Sequence, residues 1–154
     1  MMRVERSILV RSDPPRIFDL VSDPLRFPEL FRGFSRVEQV SDKARCEGAR
    51  YLMLLRVGPI DAGGVVRITE WRAPHRFAWT SEQGVLQSGA VSLSSAPGGL
   101  TEVCVHMGYV VPGPRLAGFV VEHLTRHIID RHVHAMLLSI KREVEFELPL
   151  LHPV

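Results

Sequence analysis

The chain is short of most features that mark a specialised class of protein. Its 154 residues include two cysteines, Cys46 and Cys104, in different strand-like segments and without CxxC spacing, so neither a disulfide framework nor a zinc knuckle is indicated. Two free, buried thiols are expected instead. A net charge of +2, with dispersed arginines, supplies no concentrated basic face for a phosphate backbone, which argues against nucleic acid as a partner. No uncharged run approaches the ~18–20 residues of a spanning helix, so stable membrane insertion is not expected. The opening Met1-Met2-Arg3-Val4-Glu5-Arg6 puts charge where a secretory signal needs an apolar core, and the expected location is the cytoplasm. A Gly-rich phosphate loop, a Gly-x-Ser-x-Gly elbow and a dinucleotide fingerprint are all missing. NAD, ATP and serine hydrolase chemistry drop out, and no cofactor is implied.

What remains is an ordinary globular composition, 45% hydrophobic and 23% charged. A chain of this length fits one domain and buries about 70% of the surface its unfolded form exposes. We place that domain at residues 1–148, with 149–154 as a tail that frays after Pro149. From Arg115 to Leu148 there is no proline and no glycine except Gly118, so this stretch predicts one helix about 45–50 Å long.

Upstream, Val4 to Val10 reads as a strand. Ser12-Asp13-Pro14-Pro15 then opens a helix, with Asp13 placed to accept from the first amides and Pro14 in the first turn; Ile17, Leu20 and Val21 share one side. Ser22-Asp23-Pro24 repeats the signal for a second short helix around Leu25 to Phe31. After Gly33, turn signals arrive at strand spacing: Ser41-Asp42-Lys43, Gly58-Pro59, Ala73-Pro74, Gln83-Gly84, Pro97-Gly98-Gly99 and Pro112-Gly113-Pro114. They delimit six candidate strands. Alternation is clearest in Tyr51, Met53, Leu55 and Val57, and again in Val103, Val105, Met107 and Tyr109, which should face the interior. Between Val65 and Trp71 neither face is wholly apolar, so the pattern leaves the direction of Arg67 open. The order is strand, two helices, six strands, long helix. Such a sheet must curl to bury one face, and the long helix is the natural partner for its concave side.

Several strings carry a resemblance that spans nearly the whole chain: Ile8-Leu9-Val10 with Ser12 to Asp23, Phe27-Pro28-Glu29-Leu30, Ile68 to Trp79, and Gly99-Leu100-Thr101-Glu102-Val103. In these the chain resembles the START/Bet v 1-like (SRPBCC) superfamily, and in particular its polyketide cyclase/dehydrase and lipid-transport branch. The resemblance implies an α+β helix-grip fold, a seven-stranded curved antiparallel sheet wrapped around a long C-terminal helix, with two short helices after the first strand. It also implies a cavity for a lipid, sterol, polyketide or similar apolar molecule. It does not imply catalysis, because some relatives cyclise polyketide chains and others carry or sense ligands.

Wound at about 100° per residue, the last helix has one apolar flank of Phe119, Ile129, Val133, Met136, Leu137, Ile140 and Val144, and another of Val121, Leu124, Ile128 and Ala135. Between them runs a polar line, Thr125, His132 and Ser139, which either bonds to neighbouring strands or faces a wet cavity. His132 is the leading polar ligand contact. In an enzyme it would move a proton during an aldol-type ring closure, with Arg67 stabilising the enolate oxygen. The opposite side collects His123, His127, Asp130 and His134; the i,i+4 histidines suit a metal, but Leu124 stands where a zinc hydrolase helix carries glutamate. We read that side as a solvated face also holding Lys141 and Glu145, with no metal. Tyr51, Met53, Trp79, Met107, Tyr109 and Met136 are the expected cavity wall, against the plainer alternative of a packed core.

Three functions fit. The first is binding or transport of an apolar, lipid- or polyketide-like small molecule. The second is a polyketide aromatase/cyclase working by acid-base catalysis in the same cavity, since proton transfers on a poly-β-ketone need little beyond a shaped pocket. The third is an interaction module docking through the helix or a sheet edge. Nothing in the sequence decides between monomer and homodimer.

Overall fold

The computed structural model describes the backbone of residues 2–57, 59–110 and 115–151, and the side chains of 3–56, 59–110 and 126–145. Strand β1 (Met2–Val10) leads into α1 (Pro14–Val21), a 3-10 turn (Pro24–Arg26) and α2 (Phe27–Leu30). Six strands follow: β2 (Phe34–Gln39), β3 (Arg50–Val57), β4 (Ile60–Arg72), β5 (Arg76–Gly84), β6 (Gln87–Ala96) and β7 (Leu100–Tyr109), before the helix α3 (Arg115–Leu151). All seven strands form one sheet in the order β1-β7-β6-β5-β4-β3-β2, every neighbouring pair antiparallel. The first strand therefore lies beside the last. Its two edges, β1 and β2, are consecutive strands in sequence, and α1 and α2 bridge the gap between them.

Local chemistry accounts for most boundaries. Asp23 caps the 3-10 turn, its carboxylate accepting from the Leu25 amide at 3.3 Å. Asp13 does not cap α1; Pro15 at the second helical position has no amide, which removes one of the two donors a cap would serve, and the Asp13 carboxylate accepts from the Ser12 hydroxyl at 3.5 Å instead. Cys46 lies in the loop between β2 and β3 rather than in a strand, and both thiols are free but only partly buried. The Pro112-Gly113-Pro114 turn lies outside the described residues. Helix α3 continues through Pro149 to Leu151, beyond the expected end at Leu148; a proline in the last turn removes one backbone bond without having to end the helix.

Strand β4 carries register shifts at Val65/Val66 and Ile68/Glu70, the kind of irregularity that bends a strand. Gly63 and Gly64 adopt φ of 147° and 155°, and a Cβ on them would sit 2.0 Å from the Met53 carbonyl oxygen and 1.9 Å from that of Gln83. Only glycine lets the three strands approach so closely. The second shift also explains the ambiguous pattern of β4. Val66 and Ile68 are buried, but past the bulge the phase changes and Trp71 turns inward to meet Phe18 of α1 at a ring separation of 5.2 Å.

The core packs against the short helices. Val10, Ile17, Phe31, Val103 and Val105 are 0–2% exposed, and α3 contributes Val133, Leu137, Ile140 and Val144 at 1–3%. These four belong to the first apolar flank expected from the helical period. The face carrying Asp130, Lys141 and Glu145 is not simply solvated, because it fastens the helix to the edge strand β1. Arg6 makes a two-pronged contact with Asp130 at 2.8 and 2.6 Å, Lys141 donates to the Leu9 carbonyl at 3.2 Å, and the Arg11 amide donates to Glu145 at 2.9 Å.

Candidate functional site

Among the described residues α3 makes its main backbone contacts with β1, α1 and α2, so it is held along one edge of the sheet. On the concave face stand Met53 of β3, Trp79 of β5 and Met107 of β7, with Met136 and Ile129 on α3. Each packs against the core yet remains partly accessible. Large, adaptable apolar side chains of this kind are the type that lines small-molecule sites.

Trp79 owes its position to a glycine. It pairs across the strands with Gly89 of β6, and a Cβ there would fall 2.2 Å from the indole Cζ2. The indole therefore lies over bare backbone and extends the aromatic row Trp71, Phe77 and Trp79, whose neighbouring rings are 6.0 and 5.8 Å apart. Gly89 was not legible as a wall residue, because its contribution is an absent side chain. The register of two strands reveals it.

The other expected wall residues divide. Tyr51 is 1% exposed, and its hydroxyl accepts from the Arg45 amide at 3.0 Å, so it is packed beneath the β2–β3 loop. Tyr109 faces inward but is 5% exposed and belongs to the core. Of the polar line, Ser139 is half-buried, and the side chain of Thr125 lies outside the described residues.

His132 shares a helix face with Ile129, three residues before it, and Met136, four residues after it. Its ring rests on Gly33, where a Cβ would stand 2.7 Å from the imidazole Cε1. Partial burial, followed by the Arg131 guanidinium, pushes the imidazole below its ordinary value, against the opposing effect of the Arg32 backbone. A half-buried neutral imidazole offers one donor and one acceptor nitrogen. Arg67 is not brought to it. Before the second bulge β4 turns Arg67 to the outer face, where the guanidinium pairs with Glu82 at 3.3 Å and the side chain is half-exposed.

Two further depressions lie on the outer face and at the β1 edge of the sheet. A groove of about 460 Å³ lies over β1, β7, β6 and β5, with Glu5, Arg76, Thr80 and His106 in its wall. A second depression of about 350 Å³ runs between β1 and α3, lined by Arg3, Glu5, Arg126, His127 and Asp130. Of the helix face considered for metal, Asp130 is engaged by Arg6 and the side chain of His123 lies outside the described residues. Among the described residues the group with metal-ligand spacing is a different one, Glu5, Cys104 and His106. The available signal was Cys104-Val105-His106 on a strand, whose two-residue period sets the thiol and the imidazole side by side.

Comparison with known proteins agrees with this architecture. A protein-family model described as polyketide cyclase/dehydrase and lipid transport matches residues 1–145. No curated protein matches. Among solved structures, the Zhui aromatase/cyclase from a Streptomyces species superposes with a TM-score of 0.84 at 16% identity, over 99% of both chains. A protein from Thermus thermophilus gives 0.82 at 16% identity, over 95% of this chain and 99% of the other. A START superfamily protein from Mycobacterium smegmatis gives 0.61 at 16% identity, over 86% and 97%. At such identities the likeness is one of fold. Among the described residues no helix is long and apolar enough to cross a membrane.

Proposed function

The chain belongs to the polyketide cyclase/dehydrase and lipid transport family, and on that premise we propose that it binds a lipid- or polyketide-like small molecule between the sheet and α3. The observation that carries the reading is the set Met53, Trp79, Met107 and Met136, which face inward beside a closed core and stay partly accessible. Three of the four are methionines. Their unbranched, polarizable side chains adapt to a flexible guest, and the flat indole of Trp79 offers a surface for a chain or a ring.

Native mass spectrometry of the purified protein tests the reading, paired with emission from a Trp71→Phe variant in which Trp79 is the remaining tryptophan. A co-purifying apolar molecule, or an emission shift on adding a fatty acid or a poly-β-ketone mimic, is the expected outcome. An empty protein whose Trp79 emission responds to neither class would sink it.

A second reading, an aromatase/cyclase, is supported by His132. A neutral imidazole on the same helix face as Met136 is suited to take a proton from an activated carbon and return it to oxygen. Arg67, on the outer face, is no longer part of this reading. Turnover of a poly-β-ketone mimic that disappears in His132→Ala while binding persists would select it; binding without turnover in the parent protein leaves the carrier.

A further inference from the structure

Strands β1 and β7 run antiparallel with Glu5 directly opposite His106 and Ser7 opposite Cys104. Cys104 and His106 point to the same outer face, and Glu5 joins them from the neighbouring strand. The Cys104 Sγ lies 3.3 Å from His106 Nε2 and 3.7 Å from Glu5 Oε1, while His106 Nδ1 lies 3.6 Å from Glu5 Oε2. One donor atom from each residue falls within 4.8 Å of the other two. A zinc ion with bonds of about 2.0–2.3 Å keeps tetrahedral ligands about 3.3–3.8 Å apart. Both sulfur separations already fall in that interval.

We propose that Glu5, Cys104 and His106 form a zinc-class cation site on the outer face of the sheet. A thiolate beside an imidazole selects zinc over magnesium or calcium, and the carboxylate supplies a third ligand and a further negative charge. Three protein ligands leave a fourth position. Glu5 and His106 both line the groove of about 460 Å³, so that position opens to water or to a small anion. Arg76 lies in the same groove, its guanidinium donating to Glu70 at 3.0 Å and to Ser92 at 2.7 Å.

The test uses the full chain, stripped with a chelator and titrated with Co²⁺ as a spectroscopic stand-in, followed by Zn²⁺ in competition. The expected result is saturation at one equivalent, with thiolate-to-cobalt charge-transfer absorption in the near ultraviolet. Cys104→Ser abolishes that absorption and weakens zinc at least about tenfold, the loss that even indirect metal partners bring. His106→Ala, at a half-exposed side chain, weakens it similarly and provides the second variant should Cys104→Ser fold poorly. His127→Ala, on the other side of β1, leaves affinity unchanged. Absence of the charge-transfer absorption, or undiminished affinity in Cys104→Ser or in His106→Ala, overturns the site. Because the cluster and the interior wall lie on opposite faces of the sheet, either fails without the other.

Discussion

At the scale of single residues, His132 makes a prediction whose sign follows from its surroundings. Partial burial and the Arg131 charge lower its imidazole from an ordinary value of 6.5. The folded protein therefore holds the proton less tightly than the unfolded chain. Well above pH 6.5 the ring is neutral in both states and contributes nothing; as pH falls through that value the unfolded state protonates first, and stability declines until the folded value is passed. Thermal midpoints measured from neutral pH down to about pH 5 should fall, and His132→Gln should flatten part of that fall. The carboxylates of Asp130 and Glu145, held below their ordinary values, lose their contributions in a more acid range, so they do not mimic the effect. A decline that His132→Gln leaves untouched refutes the assignment. The helical period sets this histidine on the polar line of α3. It could not pair it with Arg67, because the direction of Arg67 depends on two register shifts in β4, and a shift is a relation between strands rather than a property of either.

At the scale of elements, α3 offers a contrast between neighbours. Leu137 is 1% exposed and Leu138 is 39% exposed, though both are leucines in one turn. Leu137→Ala should cost about 2–5 kcal/mol through lost transfer energy and the cavity left behind. Leu138→Ala should stay within about 0.5 kcal/mol. Urea unfolding at unchanged slope measures both, and equal costs would mean that this face does not seat the helix. That α3 has an apolar flank was legible, and so were all seven strands, because turn residues and two-residue alternation are local signals. What the other side of the helix does was not. Asp130, Lys141 and Glu145 read as a solvated face, and their contacts are with Arg6, Leu9 and Arg11 of the first strand and the turn after it. An edge strand that joins the sheet beside the last strand brings together residues more than a hundred positions apart. No window along the chain contains both partners.

At the scale of the whole molecule, the curled sheet and its long helix were legible from element order, but not which inward residues are packed away. Met53, Trp79, Met107 and Met136 stay partly accessible, whereas Tyr51 and Tyr109 are buried. Along a strand, alternation reports which face a side chain points to, and Tyr51, Met53, Met107 and Tyr109 all face inward. Whether space lies in front of each one depends on where α3 is tied down, and it is tied along β1 and the short helices. A guest seated in that space binds the folded chain and not the unfolded one, so it must raise the thermal midpoint. At about 100 times its dissociation constant it adds about 2.7 kcal/mol, equivalent to about 5–11 °C for a domain of this size. Screening fatty acids and aromatic polyketide mimics by thermal shift should find such a compound. Met107→Glu, which puts a charge on the inner wall, should remove the shift, while Leu9→Glu, at an outward position that is 46% exposed, should preserve it. A shift that survives Met107→Glu would place the guest somewhere other than between sheet and helix, since an unpaired carboxylate and an apolar ligand cannot share a half-buried wall without one of them being expelled.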